Sequence, residues 1–92
     1  SAIFACNLAC LGAKVTFIGK IGRDIFGAFV LEQLGKKGVD ISSVIVDPSV
    51  NTGATIVLNC GEDRAMMTHP GGMARLVRED ITADRLEQGR HL

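Results

Sequence analysis

The chain has 92 residues, enough for one small domain and too few for two. With 47% apolar and 22% charged residues and no repeat or low-complexity tract, it reads as a folded globular protein rather than a fibrous or disordered one. Ten basic residues balance ten acidic ones, and a net charge of zero argues against nucleic acid as a partner, because phosphate backbones need a basic footprint.

Residues 2–11, AIFACNLACL, are apolar and read as a buried helix closed by Gly12. Cys6 and Cys10 lie four apart within it and share one helical face. With Cys60 they make an odd count, which does not suit a disulfide framework, and no further cysteine or paired histidine completes a metal site. The thiols of Cys6 and Cys10 are expected to be small buried groups, in reducing, cytoplasmic surroundings. No run approaches the ~20 apolar residues of a membrane span, and no basic stretch leads into a long apolar one as in a signal peptide.

Lys14 to Ile18, KVTFI, is β-rich and is expected to form a buried strand punctuated by Gly19 and Gly22. The run VTFIGKIGRDIFG, residues 15–27, then poses a question: a strand, glycines and a helix start could cradle a phosphate. Its spacing, G-x-x-G-x-x-x-x-G, is neither the dinucleotide fingerprint nor a Walker A loop. Asp24 would also fill the helix N-terminus with its own carboxylate and repel an anion. The stretch is expected to be a structural turn in which Gly22 and Gly27 permit the bend and Asp24 caps the helix. That helix carries Phe26, Phe29, Val30 and Leu34 at helical spacing, and Lys36, Lys37 and Gly38 suit its end.

Val44 to Val46 suggest a strand stopped by Asp47-Pro48. Two further runs, 52–59 and 64–69, joined by a short glycine-containing loop, predict a β-hairpin broken by His69-Pro70-Gly71-Gly72. A last helix is expected at 78–88, with Thr82 as the N-cap of a later start, and Arg90-His91-Leu92 is expected to open another strand. The alternation of strand and helix gives an α/β class, with the hairpin as an antiparallel appendage or lid. His69 and His91 are solitary, and the pairs Glu62-Asp63 and Glu79-Asp80 sit where acids are favoured locally. Residue types alone point to nothing catalytic and to no metal site.

The ordered set of motifs is similar to the ribokinase-like (phosphofructokinase B-type) carbohydrate kinases. In that family a Gly-Gly pair and an Asn lead to a small residue, then a Gly after six intervening residues and another Gly after nine more. Ala5, Gly12 and Gly22 fit these positions. LGAKVTFIGKIGRDIFGAFVLEQLGKKGVDISSV resembles the usual continuation, including G-x-D-x-x-G at Gly22, Asp24 and Gly27. TGATIVLNCGEDRAMMTHPGGMARLVREDI resembles the Thr-Gly-led lid hairpin, the Pro-Gly turn and the Leu-x-x-Glu-Asp-Ile helix start. Two departures stand out: the Gly-Gly pair would precede Ser1, and the sugar-binding Asn falls on Ile3, with Asn7 four residues too late.

The resemblance implies the N-terminal part of a ribokinase-like αβα sandwich, with core 1–46 and 73–92 and a lid hairpin at about 50–70. It implies phosphoryl transfer from ATP, with Mg²⁺, to a sugar hydroxyl by a longer parent protein. The family's Asp-Thr-x-Gly-Ala-Gly-Asp signature, which supplies the catalytic base, does not occur in these 92 residues. They are therefore expected to hold no catalytic residue, to bind no ATP or Mg²⁺ and to be inactive alone. On the lid, Thr55, Val57 and Thr68 would face the sugar, with Ile3 at the Asn position; Ala54, Ile56 and Leu58 would meet a second subunit in a homodimer. A one-residue slip would exchange these faces. A nucleoside kinase of the same superfamily and a non-catalytic, truncated dimerising module are the alternatives.

Overall fold

A computed structural model describes residues 1–91. The elements are α1 (Ala2–Cys10), β1 (Gly19–Gly22), α2 (Ile25–Lys36), β2 (Val44–Asp47), β3 (Ala54–Cys60), β4 (Asp63–His69), two 3₁₀ turns (Gly71–Arg75 and Arg78–Asp80) and α3 (Ala83–Glu87). The fold is mixed α/β, with β1 and β2 parallel and β3 and β4 an antiparallel hairpin.

Both long helices end by the same device. Gly12 and Gly38 follow the last turns of α1 and α2 with φ of +95° and +81°. The Gly12 N–H donates to Ala9 O and the Ala13 N–H to Leu8 O; the Gly38 N–H donates to Gly35 O and the Val39 N–H to Leu34 O. This is the Schellman closure, which satisfies carbonyls that the helix itself leaves unpaired. Its apolar pair in α2, Leu34 with Val39, joins Ala5 of α1 as the buried core. Ala2, Ala5, Cys6 and Ala9, a stripe of small residues at helical spacing, turn toward that core.

The core is thinner than the sequence suggests. Ile3, Phe4 and Leu11 leave α1 exposed outside its small-residue stripe, so this helix is buried on one side only. Phe26 and Phe29 of α2 are 56% and 59% exposed, while Val30 and Leu34 make the core contact. Cys6 is half-buried, but Cys10 and Cys60 are exposed, because Cys10 lies on the last turn of α1 and Cys60 on the uncovered hairpin.

The strand expected at 14–18 is reduced to one bridge between Thr16 and Asp40, and the ladder proper runs from Gly19↔Val44 to Gly22↔Asp47. The interruption has a local cause. The Asp40 carboxylate accepts the Ser42 N–H at 2.9 Å, which turns the partner chain aside between Asp40 and Val44. Beyond the hairpin, the helix expected at 78–88 is split into the 3₁₀ turn Arg78–Asp80 and the short α3, with Thr82 in its N-cap position. Asp80 accepts the Val77 N–H at 3.0 Å and pairs with Lys20 of β1 at 2.7 Å. That pairing draws the first turn onto the sheet, and Ile81 breaks the helical path with ψ of 89°. Arg90 and His91 form no strand, and Leu92 lies outside the described residues.

Candidate functional site

The hairpin register decides which side chains share a face. Thr55 pairs with Thr68, Val57 with Met66 and Asn59 with Arg64, so these six lie on one side. The two threonine hydroxyls are 3.1 Å apart and hydrogen-bond each other. Ala54, Ile56 and Leu58 occupy the other side, across from His69, Met67 and Ala65. The first face is thus hydroxyl-bearing with one charged residue, Arg64, and the second is apolar between His69 at the base and Asp63 at the tip. All residues from Thr55 to His69 are exposed. Met66, Asn59 and Arg64 were not singled out from sequence; the signal that places them is alternation, of Asn59 with Thr55 and Val57 along β3 and of Arg64 and Met66 with Thr68 along β4.

At the root of the hairpin, four residues join in one hydrogen-bonded group. Asp24 caps α2: its Oδ1 accepts the Gly27 N–H at 2.7 Å. The same oxygen accepts the Thr52 hydroxyl at 2.7 Å, and Oδ2 accepts the Thr52 N–H at 2.8 Å. The Thr52 oxygen in turn accepts the Gly22 N–H at 3.0 Å. Thr52 is buried, with 7% exposure. Gly22 and Gly27 are therefore not turn-formers, and neither has a positive φ. A Cβ on Gly22 would stand 2.8 Å from Asn51 Cα and 2.9 Å from the Thr52 nitrogen; one on Gly27 would stand 2.9 Å from Thr52 Oγ1. Their role is close approach of backbones. The carboxylate fills the helix N-terminus, so the stretch 15–27 offers no phosphate cradle.

This arrangement holds the Asp24 carboxyl below its ordinary value, first through the Thr52 hydroxyl, then through the Thr52 and Gly27 amides. A carboxyl depressed in the folded state adds stability that is fully present above its unfolded pKa of about 4 and is lost as pH falls through the folded value. Acid unfolding should therefore steepen below about pH 4, and Asp24→Asn should flatten that limb. Urea midpoints measured from pH 6 to 2.5 that run parallel for both proteins would contradict this.

The remaining candidates separate. Ala5 is in the core and Gly12 closes α1. Ile3 is 78% exposed on α1 and belongs to neither cluster. His69 pairs with Ala54 at the base of the hairpin, and His91 is exposed. Among the described residues no group of His, Cys, Asp or Glu could hold a metal ion. Three of the acids are engaged by other side chains or amides: Asp47 by Ser49, Asp40 by Ser42, and Asp80 by Lys20, whose side chain is only 10% exposed. Among the described residues no helix is long and apolar enough to cross a membrane.

Comparison with known proteins adds three kinds of relative. The pattern of the pfkB family carbohydrate kinases matches residues 4–92. The 2-dehydro-3-deoxygluconokinase of Bacillus subtilis is 38% identical over 66 residues, 71% of this chain and 20% of that protein. The 5-dehydro-2-deoxygluconokinase of Geobacillus thermodenitrificans is 33% identical over 92 residues, 96% of this chain and 27% of that protein. A candidate ribokinase II from E. coli, solved in complex with ATP and Mg²⁺, superposes with a TM-score of 0.87 at 27% identity, covering 94% of this chain and 28% of that one. The chain thus spans between a fifth and a third of the length of these relatives.

Proposed function

The chain belongs to the pfkB family of carbohydrate kinases, and from that premise we propose that the protein carrying it transfers a phosphoryl group from ATP to a sugar hydroxyl. These residues supply the sugar side and the lid. The observation that carries the reading is the hydroxyl pair of Thr55 and Thr68 on an exposed hairpin face, with Val57 two residues along. A hydroxyl pair can both donate to and accept from a sugar hydroxyl, and Val57 offers apolar contact to a ring face. Arg64, the one charged residue among the six on that face, suits a sugar acid. The two named relatives act on deoxy keto-sugar acids, which makes that class the first to try. Ile3 would lie at the edge of this side but can offer no hydrogen bond to a hydroxyl.

The glycine-flanked start of α2 is closed by Asp24, which disfavours a phosphate there. ATP, Mg²⁺ and the base that takes the hydroxyl proton would be held elsewhere in the protein, and the 92 residues alone are expected to transfer no phosphate. We place the reaction in the cytoplasm, where the three free thiols suit a reducing setting. The apolar face of the hairpin would pair with a second copy of the protein.

The test is ADP release by the full-length protein against a panel of sugars, deoxy keto-sugar acids and nucleosides. Turnover on a sugar or sugar acid is the expected result. Turnover on nucleosides alone would replace this reading with a nucleoside kinase, and turnover on nothing would favour a non-catalytic dimerising module.

A further inference from the structure

We propose that Thr52 is a positioning residue: clamped by Asp24, it fixes the angle at which the hairpin stands over the sugar side and so sets the affinity for sugar. The inference rests on the kinase reading and adds a residue to it that makes no contact with the substrate.

The hairpin leaves the body of the protein through residues 51–53 and returns through 70–72. Its own residues beyond Ala54 are exposed, so these two crossings set its direction. The outgoing crossing is held by the three hydrogen bonds of Thr52, two to Asp24 and one from Gly22. The returning crossing is pressed against it: the Gly72 N–H donates to Asn51 O at 2.6 Å. A Cβ on Gly53 would stand 2.7 Å from Pro70 O, and one on Gly72 would stand 2.7 Å from Lys20 O. The backbones touch here without side chains between them. Gly53, where the two crossings touch, therefore follows directly on the most firmly held residue of the lid root.

Capping α2 does not require this. The cap needs one bond, from the Gly27 N–H to Oδ1. The second oxygen of Asp24 is turned to the Thr52 N–H instead of to solvent, so one carboxylate serves the helix and the lid root together. The leverage is appreciable. Thr55 stands three residues from this pivot, roughly 10 Å along a strand, so a rotation of about 6° there moves its hydroxyl by ~1 Å. Misplacement on that scale can cost on the order of 100-fold in a well-organised site.

The test uses the full-length protein with Thr52→Val, Thr52→Ser and Asp24→Asn. Valine keeps the shape of threonine and removes the hydroxyl. Thr52→Val is expected to raise the sugar KM by about tenfold or more, with the ATP KM unchanged. Thr52→Ser should stay within about twofold of wild type, because the hydroxyl alone carries two of the three bonds. A wild-type sugar KM for Thr52→Val, an equal shift for valine and serine, or an equal rise in the ATP KM would overturn the proposal. If Thr52→Val does not fold, Asp24→Asn decides, since asparagine caps a helix as well as aspartate but offers one acceptor fewer to Thr52. Its sugar KM must also rise; a wild-type value overturns the proposal. Hydrogen exchange separates this from the kinase reading. If wild type turns over no sugar, the kinase reading fails, and the clamp still stands only if the Gly22 and Thr52 amides exchange at least about tenfold faster in Asp24→Asn. Equal exchange in the two proteins would sink the clamp itself.

Discussion

Gly22→Ala is expected to destabilise the protein by about 3 kcal/mol, the upper range of overpacking costs. The added methyl group would meet Val50 O, Asn51 Cα and the Thr52 nitrogen, all of them backbone atoms, so no side chain can swing away to admit it. The shift would have to move the lid root or the end of β1, and either breaks the Gly22 to Thr52 hydrogen bond. Gly35→Ala is the control. Gly35 lies inside α2, has no positive φ and would place its Cβ in open space. Alanine there should stabilise by about 0.5–1 kcal/mol, through helix propensity and a less flexible unfolded chain. Two glycines thirteen residues apart should thus respond in opposite directions. Urea denaturation of both variants checks this; a loss under about 1 kcal/mol for Gly22→Ala would remove the close-approach argument.

The same pair shows where sequence reasoning succeeded and where it stopped. Helix ends were legible because their signals are local: Asp24 before Ile25 and glycines at 12 and 38, each satisfied within a few residues. The existence of the hairpin was legible because two β-rich runs flank a short glycine-containing turn, and alternation along β3 puts Thr55 and Val57 on one face; the pairing of Thr68 with Thr55 came only from the family resemblance. The strand β1 was not legible. Its sequence, GKIG, has little strand propensity and reads as punctuation after the β-rich KVTFI. The ladder forms there because Val44 to Asp47 lies alongside and because glycines let the Asn51-Thr52 crossing come close, which are tertiary facts. Thr52 was passed over for a similar reason. It lies 28 residues from Asp24, and nothing in either neighbourhood announces the pairing. Lys20 and Asp80 are likewise far apart in the chain, and their contact cost the expected helix at 78–88 its first turn.

Ile56→Lys is expected to weaken self-association of the protein at least about 100-fold, while Val57→Lys leaves it intact and impairs sugar use. The two positions are neighbours in β3 and point to opposite faces. Ile56 is 60% exposed, beside Leu58 at 53% and across from Met67 at 64%, a continuous apolar surface left uncovered by the described residues. A hairpin so exposed also leaves strand edges unpaired, which proteins ordinarily cover or charge. The proposed pairing with a second copy would cover the face, and a two-fold arrangement would place each substituted residue in the interface twice. A lysine at 56 would then bury two ammonium groups with no partner, at a cost far above that of losing one apolar contact. Val57 lies with Thr55 and Thr68, whose hydroxyls are where sugar contact is proposed, so a lysine there should raise the sugar KM and spare the dimer. Analytical ultracentrifugation across a concentration series reads the first effect, and sugar-dependent ADP release reads the second. If Val57→Lys dissociates the protein and Ile56→Lys does not, the faces are exchanged and the sugar side of the lid is the one that carries Ile56 and Leu58.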